Sequence, residues 1–194
     1  MDTIYALASG QGKCGISIVR ISGPQAFFVG KALCKICLKP RKATFTKMWD
    51  NSGEVIDEGL AVFFEGPASF TGEDVLELHI HGSSAVLDSI NCALSRMVSL
   101  RMAEPGEFTR RALMNNKLDL AQVEGLKDLI DSETEAQRKQ AQRVLSGQLG
   151  LKVEEWRSCL VKAIAFLEVM IDFSDEEVPS NVFPEVLRLL SMVK

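Results

Sequence analysis

In Val75-Leu76-Glu77-Leu78-His79-Ile80-His81, apolar and polar residues alternate from Leu76 onward. That is the period-2 pattern of a strand with one buried and one open face. Leu76, Leu78 and Ile80 take one side, and Glu77, His79 and His81 the other. Gly82-Ser83 interrupts the pattern, and the spacing then predicts an amphipathic helix over residues 84–97. A single strand and helix cannot cover the Leu/Ile side, so further strands must lie beside this one.

Working outward, residues 3–8 and 14–21 read as two strands around the turn Ser9-Gly10-Gln11-Gly12-Lys13. Ser22-Gly23-Pro24-Gln25 reads as a helix start: Ser22 as cap, Gln25 at the capping-box position, Pro24 in the first turn where its missing donor costs nothing. This helix is expected to run to about Cys34, with a basic loop over residues 39–47 after it. Leu60-Ala61-Val62-Phe63-Phe64 is a further strand, ended by Gly66-Pro67. The order strand, strand, helix, strand, strand, helix is an α+β pattern with mostly antiparallel pairing.

The texture changes at Asp119, which can cap a helix whose third position is Gln122. Val123, Leu126 and Ile130 predict one long helix to about Ser146. Leu149, Val153, Trp156, Leu160, Ala163, Leu167 and Met170 follow at alternating steps of four and three, a seam for packing against another helix. The acidic run over residues 172–177 and Pro179 should stop that helix, and residues 182–194 should begin a third. Residues 1–117 are therefore expected to form an α+β domain and residues 118–194 an all-α, truncated helical domain.

Composition narrows the function classes. The 194 residues carry 46% hydrophobic and 25% charged side chains with a net charge of −4. No apolar run reaches the roughly 18 residues of a membrane span, and no targeting peptide is visible at Met1-Asp2-Thr3-Ile4-Tyr5. Residues 1–117 hold 13 Lys/Arg against 12 Asp/Glu, whereas residues 118–194 hold 9 against 14. A general phosphate-grasping surface does not fit that balance, so any nucleic acid needs a local basic patch or other parts. Five scattered cysteines fit a reducing compartment, and the lone Cys34-Lys35-Ile36-Cys37 lacks the second ligand pair of a zinc site.

Gly10-Gln11-Gly12-Lys13-Cys14 resembles a phosphate loop only superficially. The pattern needs Gly where Leu7 stands, and Ser or Thr where Cys14 stands. The open face of residues 75–81 admits three readings: a plain solvent face, a His/His/Glu set for iron or zinc, or Glu77 accepting paired N–H donors from a ligand such as a 2-aminopyrimidine ring. Arg20 shares a strand face with Ile16 and Ile18, and is either a snorkelling rim residue or an anion anchor. Gly106-Glu107-Phe108-Thr109-Arg110-Arg111 reads as an exposed, basic helix turn.

Taken together, the segments resemble one family. Asp2-Thr3-Ile4 with Gly15-Ile16-Ser17-Ile18-Val19-Arg20-Ile21-Ser22-Gly23 is similar to the opening of MnmE/TrmE-type tRNA-modification GTPases. So are Gly66-Pro67-Ala68-Ser69-Phe70-Thr71-Gly72-Glu73-Asp74-Val75-Leu76-Glu77 with His81-Gly82, and Pro105-Gly106-Glu107-Phe108-Thr109-Arg110-Arg111-Ala112 with Asn116-Lys117-Leu118-Asp119-Leu120. Ile171-Asp172-Phe173 with Asp175-Glu176-Glu177 resembles the helix end before the family's GTPase insertion.

The resemblance implies a tetrahydrofolate-binding N-terminal domain, like that of one-carbon enzymes, which also forms a homodimer. It implies that the full protein works with an MnmG-type FAD protein on C5 of the wobble uridine of tRNA. The carbon would come from 5,10-methylene- or 5-formyl-tetrahydrofolate. Carried over by motif, the folate contacts fall on Arg20, Glu77 and Lys117, with Glu77 on the aminopyrimidine edge and the two cations on carbonyl or carboxylate groups. The family's GTPase domain (with its GTP, Mg and K), its closing helices and its C-terminal cysteine motif would lie beyond Lys194. This chain alone is then expected neither to hydrolyse GTP nor to complete the modification, and a short form acting only as a dimerisation partner is the alternative. Gly10-Gln11-Gly12-Lys13-Cys14-Gly15 resembles the mitochondrial branch, which implies mitochondrial residence. Ser83 stands where the family usually has a second Gly.

Overall fold

The computed structural model describes residues 2–172 and 182–193. The chain divides into two compact units, Met1–Leu118 and Asp119–Lys194. None of the described helices is long and apolar enough to cross a membrane.

The first unit is built on six strands: β1 (Thr3–Leu7), β2 (Cys14–Ser22), β3 (Thr44–Trp49), β4 (Val55–Phe64), β5 (Val75–Gly82) and β6 (Leu100–Met102). Three helices join them: α1 (Ala26–Cys34), α2 (Ser84–Ser95) and α3 (Glu107–Met114). The sheet runs β3-β4-β5-β2-β1-β6, antiparallel throughout except for the parallel pair β1 and β6. This is the expected α+β architecture, with β5 and β2 the two central strands of the sheet.

The alternation in β5 decides which face is buried. Leu76, Leu78 and Ile80 join Val19 and Ile21 of β2, Ala61 and Phe63 of β4, and Ala26, Val29 and Leu33 of α1 in one apolar core. Ile90, Ala93 and Leu94 of α2 close the same cluster. Each fully buried Leu or Ile here contributes roughly 1.5–3 kcal/mol relative to exposure, so α1 and α2 are held by the sheet face and not by local propensity.

Several local expectations change. Ser22 is not a helix cap: β2 extends through it, its hydroxyl pairs with Thr71 and Glu73, and Thr3 Oγ1 instead accepts from the Gln25 N–H at the start of α1. The supposed basic loop over residues 39–47 contains the start of β3, an edge strand whose one fully buried side chain, Met48, left little apolar signal. β4 begins at Val55 because ladder bonds to β3 carry it through Asp57-Glu58-Gly59, residues of low strand propensity. The three-residue β6 was too short to register as a pattern.

Ser83 does not distort its turn. It is the N-cap of α2, its hydroxyl accepting the Val86 N–H at 3.2 Å. Gly82 before it is required by crowding, since a Cβ there would stand 2.4 Å from Cys14 Sγ.

The second unit is helical: α4 (Leu120–Ile130), α5 (Glu135–Leu145), α6 (Gln148–Asp172) and α7 (Val182–Ser191). The single helix expected from Asp119 to Ser146 is two. Asp119 and Thr134 each form a capping box, with Gln122 and Gln137 respectively, so a second helix starts at Thr134. The stretch 173–181, with the predicted helix stop at Pro179, lies outside the described residues.

Candidate functional site

Strand register turns the sheet face away from α1 and α2 into rows of graded cover. Ile4, Ser22, Val75 and Phe64 form one row across β1, β2, β5 and β4, and the first three are completely covered. Ala6, Arg20, Glu77 and Val62 form the next, all half-buried. Ile18, His79, Leu60 and, on β3, Phe45 form a third, which ends exposed at Phe45. Arg20 therefore lies on the face opposite the Val19/Ile21 core. Ile18 shares that outer face and Ile16, in the irregular stretch before Ser17, is exposed, so the side of β2 that carries Arg20 is open and not the strand's apolar side.

Arg20 and Glu77, separated by 57 positions in sequence, are direct cross-strand partners. Glu77 Oε1 accepts a hydrogen bond from Arg20 Nε at 2.9 Å and lies 2.8 Å from Arg20 Nη2 as an ion pair. The guanidinium also lies 4.9 Å from the Phe70 ring centre and 5.6 Å from that of Phe108. Two aromatic rings and a carboxylate thus fix one half-buried cation. Because both Arg20 nitrogens converge on Oε1, Oε2 is the Glu77 oxygen without a hydrogen bond among the described residues.

The rings come from segments held by buried charge. Residues 66–74 fold over the covered row, with Gly66 N donating to Asp74 Oδ1 at 2.9 Å and Asn115 Nδ2 to Thr71 O at 2.7 Å. Arg111, about 5% exposed, donates to Glu73 at 3.1 Å, to Asp2 Oδ1 at 2.8 Å and to Glu107 Oε1 at 3.2 Å. Arg101 adds two bonds to Glu107, at 2.8 and 2.6 Å. The Arg101 guanidinium leads the groups that pull the Glu107 carboxyl down to about 2, against the opposing effect of burial. The segment read as an exposed basic turn is therefore a buried ion network that seats α3, and with it Phe108. Glu73, Phe70, Phe108, Glu107 and Arg111 gave no periodic signal; only their density of charge and aromatics beside glycines marked them.

Lys117 sits apart from the Arg20–Glu77 pair. Its Nζ donates to Pro67 O at 3.0 Å, and its stem lies against Gly72, where a Cβ would come within 3.2 Å of Lys117 Cγ. It is joined to the pair through the loop that carries Phe70. The three residues thus share one region, with two in direct contact.

The histidines part company. His81 binds Asp57 through both its backbone N–H, at 2.7 Å, and Nδ1, at 2.8 Å. Burial raises the Asp57 carboxyl, but these His81 contacts outweigh it and hold the group below its usual value. His79 stays beside Glu77. Among the described residues no three His, Cys, Asp or Glu side chains converge as a metal set would require. With His81 committed to Asp57, the His/His/Glu alternative loses a ligand.

Two family descriptions match the chain: GTP-binding protein TrmE N-terminus over residues 3–117, and MnmE helical domain over residues 120–194. The chain belongs to the MnmE/TrmE family. Proteins named tRNA modification GTPase MnmE from Dinoroseobacter shibae and Roseobacter denitrificans are 56% and 55% identical to it over 193 residues. The namesake from Beijerinckia indica is 50% identical over 195 residues. Each match covers the whole chain but 45%, 45% and 43% of the relative, so the chain spans less than half the length of these curated relatives. The resemblance read from the motifs is borne out. In physical terms, the MnmE run over residues 66–77 supplies the loop and Glu77, and the run over 105–112 supplies the ion network that locks the loop in place.

Proposed function

We propose that this chain is the tetrahydrofolate-binding, dimer-forming part of a tRNA-modifying MnmE-type GTPase. The whole protein would act with an MnmG-type FAD protein on C5 of the wobble uridine. Bound reduced folate, as 5,10-methylene- or 5-formyl-tetrahydrofolate, supplies the one-carbon unit for that change. Mitochondrial residence belongs to the same reading and is supported by the run Gly10 to Gly15 alone; the relatives named above are bacterial.

The observation that carries the proposal is the Arg20–Glu77 pair under Phe70 and Phe108, at the step between covered and open sheet. A flat heterocycle with a polar edge needs apolar or aromatic walls and a few fixed hydrogen-bonding groups. Glu77 supplies a fixed acceptor in Oε2, while Arg20 holds the carboxylate still. Val62, Leu60 and Ile18 supply apolar floor on either side. Lys117, which follows α3 and bonds to the loop at Pro67 O, is the cation this reading assigns to the acidic tail of such a ligand.

Losing a charge-assisted partner of this kind costs roughly 1.5–3 kcal/mol. Calorimetry with 5-formyl-tetrahydrofolate should therefore show at least tenfold weaker binding for Glu77→Ala. Arg138→Ala, on the exposed Arg138–Glu135 pair of α5, should bind as the wild type does. Unchanged affinity in Glu77→Ala would remove the proposal.

A further inference from the structure

The ligand's polar edge, on the folate reading just given, need not be read by Glu77 alone. His79 lies two positions further along β5, in the next row of the open face. Its cross-strand neighbours are Ile18 on β2 and Leu60 on β4, neither of which offers a side-chain hydrogen bond. His79 Nε2 is shielded from solvent and has no hydrogen-bond partner among the described residues. It stands 3.8 Å from Glu77 Oε2, too far for a hydrogen bond and close enough to serve the same small group. A buried polar atom left unpaired costs on the order of 1–3 kcal/mol, and native structures keep few of them. Here the orphan lies beside the one Glu77 oxygen that Arg20 leaves unengaged.

We propose that Glu77 Oε2 and His79 Nε2 together read the ligand's ring edge, Oε2 accepting from a ring N–H and Nε2 donating to a neighbouring acceptor. A 2-amino-4-oxo pterin edge presents such a donor beside a carbonyl oxygen. His79 is then a specificity-determining contact: it favours a ring with an acceptor at that position over one with an amino group there. This inference rests on the folate reading, and its test separates the two.

The full chain and its His79→Leu, His79→Gln and Glu77→Ala variants are titrated by calorimetry with 5-formyl-tetrahydrofolate and with a 2,4-diaminopteridine antifolate, which replaces the carbonyl by an amine. Melting temperatures are measured alongside. His79→Leu should bind 5-formyl-tetrahydrofolate about five- to tenfold more weakly, as expected for one lost buried hydrogen bond, and its preference for the 4-oxo ring should shrink by a similar factor. Its melting temperature should stay level or rise, because leucine removes the orphan atom. A merely structural histidine would move stability and affinity in the same direction. His79→Gln, which keeps an N–H near the same place, should recover to within about threefold of wild type on the same reasoning.

If His79→Leu binds both compounds as wild type does while Glu77→Ala loses its tenfold, the folate reading stands and His79 has no part in it. A glutamine variant no better than leucine would also overturn the proposed contact. If the wild-type chain binds neither compound, the folate reading itself falls, and the His79 contact with it.

Discussion

At the scale of single residues, the most consequential group is Glu107. It is about 3% exposed and takes hydrogen bonds from Arg101, Arg111 and the Glu104 backbone. Its carboxyl is held at about 2, well below the usual carboxylate range, chiefly by the Arg101 guanidinium. A depressed folded-state value means the stabilisation is complete above the unfolded value and is lost as pH falls through the folded one. Acid titration followed by circular dichroism should therefore show a stability loss between about pH 4.5 and 2 that Glu107→Gln largely lacks, since that variant is already weakened at neutral pH. The same residue shows what sequence could and could not tell. Glu77 and Arg20 stood out because a strand's alternation places a side chain by counting. Glu107 and Arg111 pair one helical turn apart, but no local pattern announces that an arginine on an apparently exposed turn will also meet Glu73, a carboxylate 38 positions away.

Among elements, the strongly periodic ones were legible and the weakly periodic ones were not. α1, α2, α6 and β5 each have an apolar face that their spacing states outright. β3 is an edge strand with one buried residue, and β6 has three residues in all. The division between α4 and α5 was legible in Thr134-x-x-Gln137 but was masked by the apolar stripe on either side. These two helices approach closely at Gly125, where a Cβ would lie 2.8 Å from Leu145 N and 3.1 Å from Val144 Cβ. Overpacking of that kind typically costs about 1–3 kcal/mol. Gly125→Ala should lower the stability of the helical unit by about that amount in urea denaturation, while 5-formyl-tetrahydrofolate affinity is unchanged. A melt unaffected by the substitution would mean α4 and α5 part more easily than their packing indicates.

For the whole molecule, the two units differ in how they satisfy their apolar surface. The sheet unit closes one continuous core. The small cluster of Cys159, Ala163, Val186 and Leu189 between α6 and α7 leaves Leu151, Ile164, Val169 and Ile171 well exposed. Exposed apolar side chains in such number suit packing by other helices. The site region, by contrast, draws all its named groups from residues 2–117. A chain shortened to residues 1–118 should therefore keep its 5-formyl-tetrahydrofolate affinity within about twofold, the ordinary scatter for sites far from a change. On the proposed division of labour, light scattering should find it still dimeric. A monomeric product would place the dimer contacts in the helical unit instead.

The irregularity in β2 between Cys14 and Ser17 reaches beyond local geometry. Because side chains alternate along a strand, a one-residue slip from Ser17 onward would drive Arg20 into the core and turn Val19 outward. The bulge acts as a buffer upstream of that segment. The turn before it is roomy as well, since a Cβ at Gly10 would meet nothing within 4 Å, although the positive φ of Gly12 keeps that position for glycine. Changes at residues 10, 11 and 13 should thus carry little structural cost, while any insertion between residues 17 and 22 should be purged. Tolerance to indels should fall abruptly at Ser17, and a library scanning single-residue insertions along the strand would trace that boundary as a cliff in folded yield.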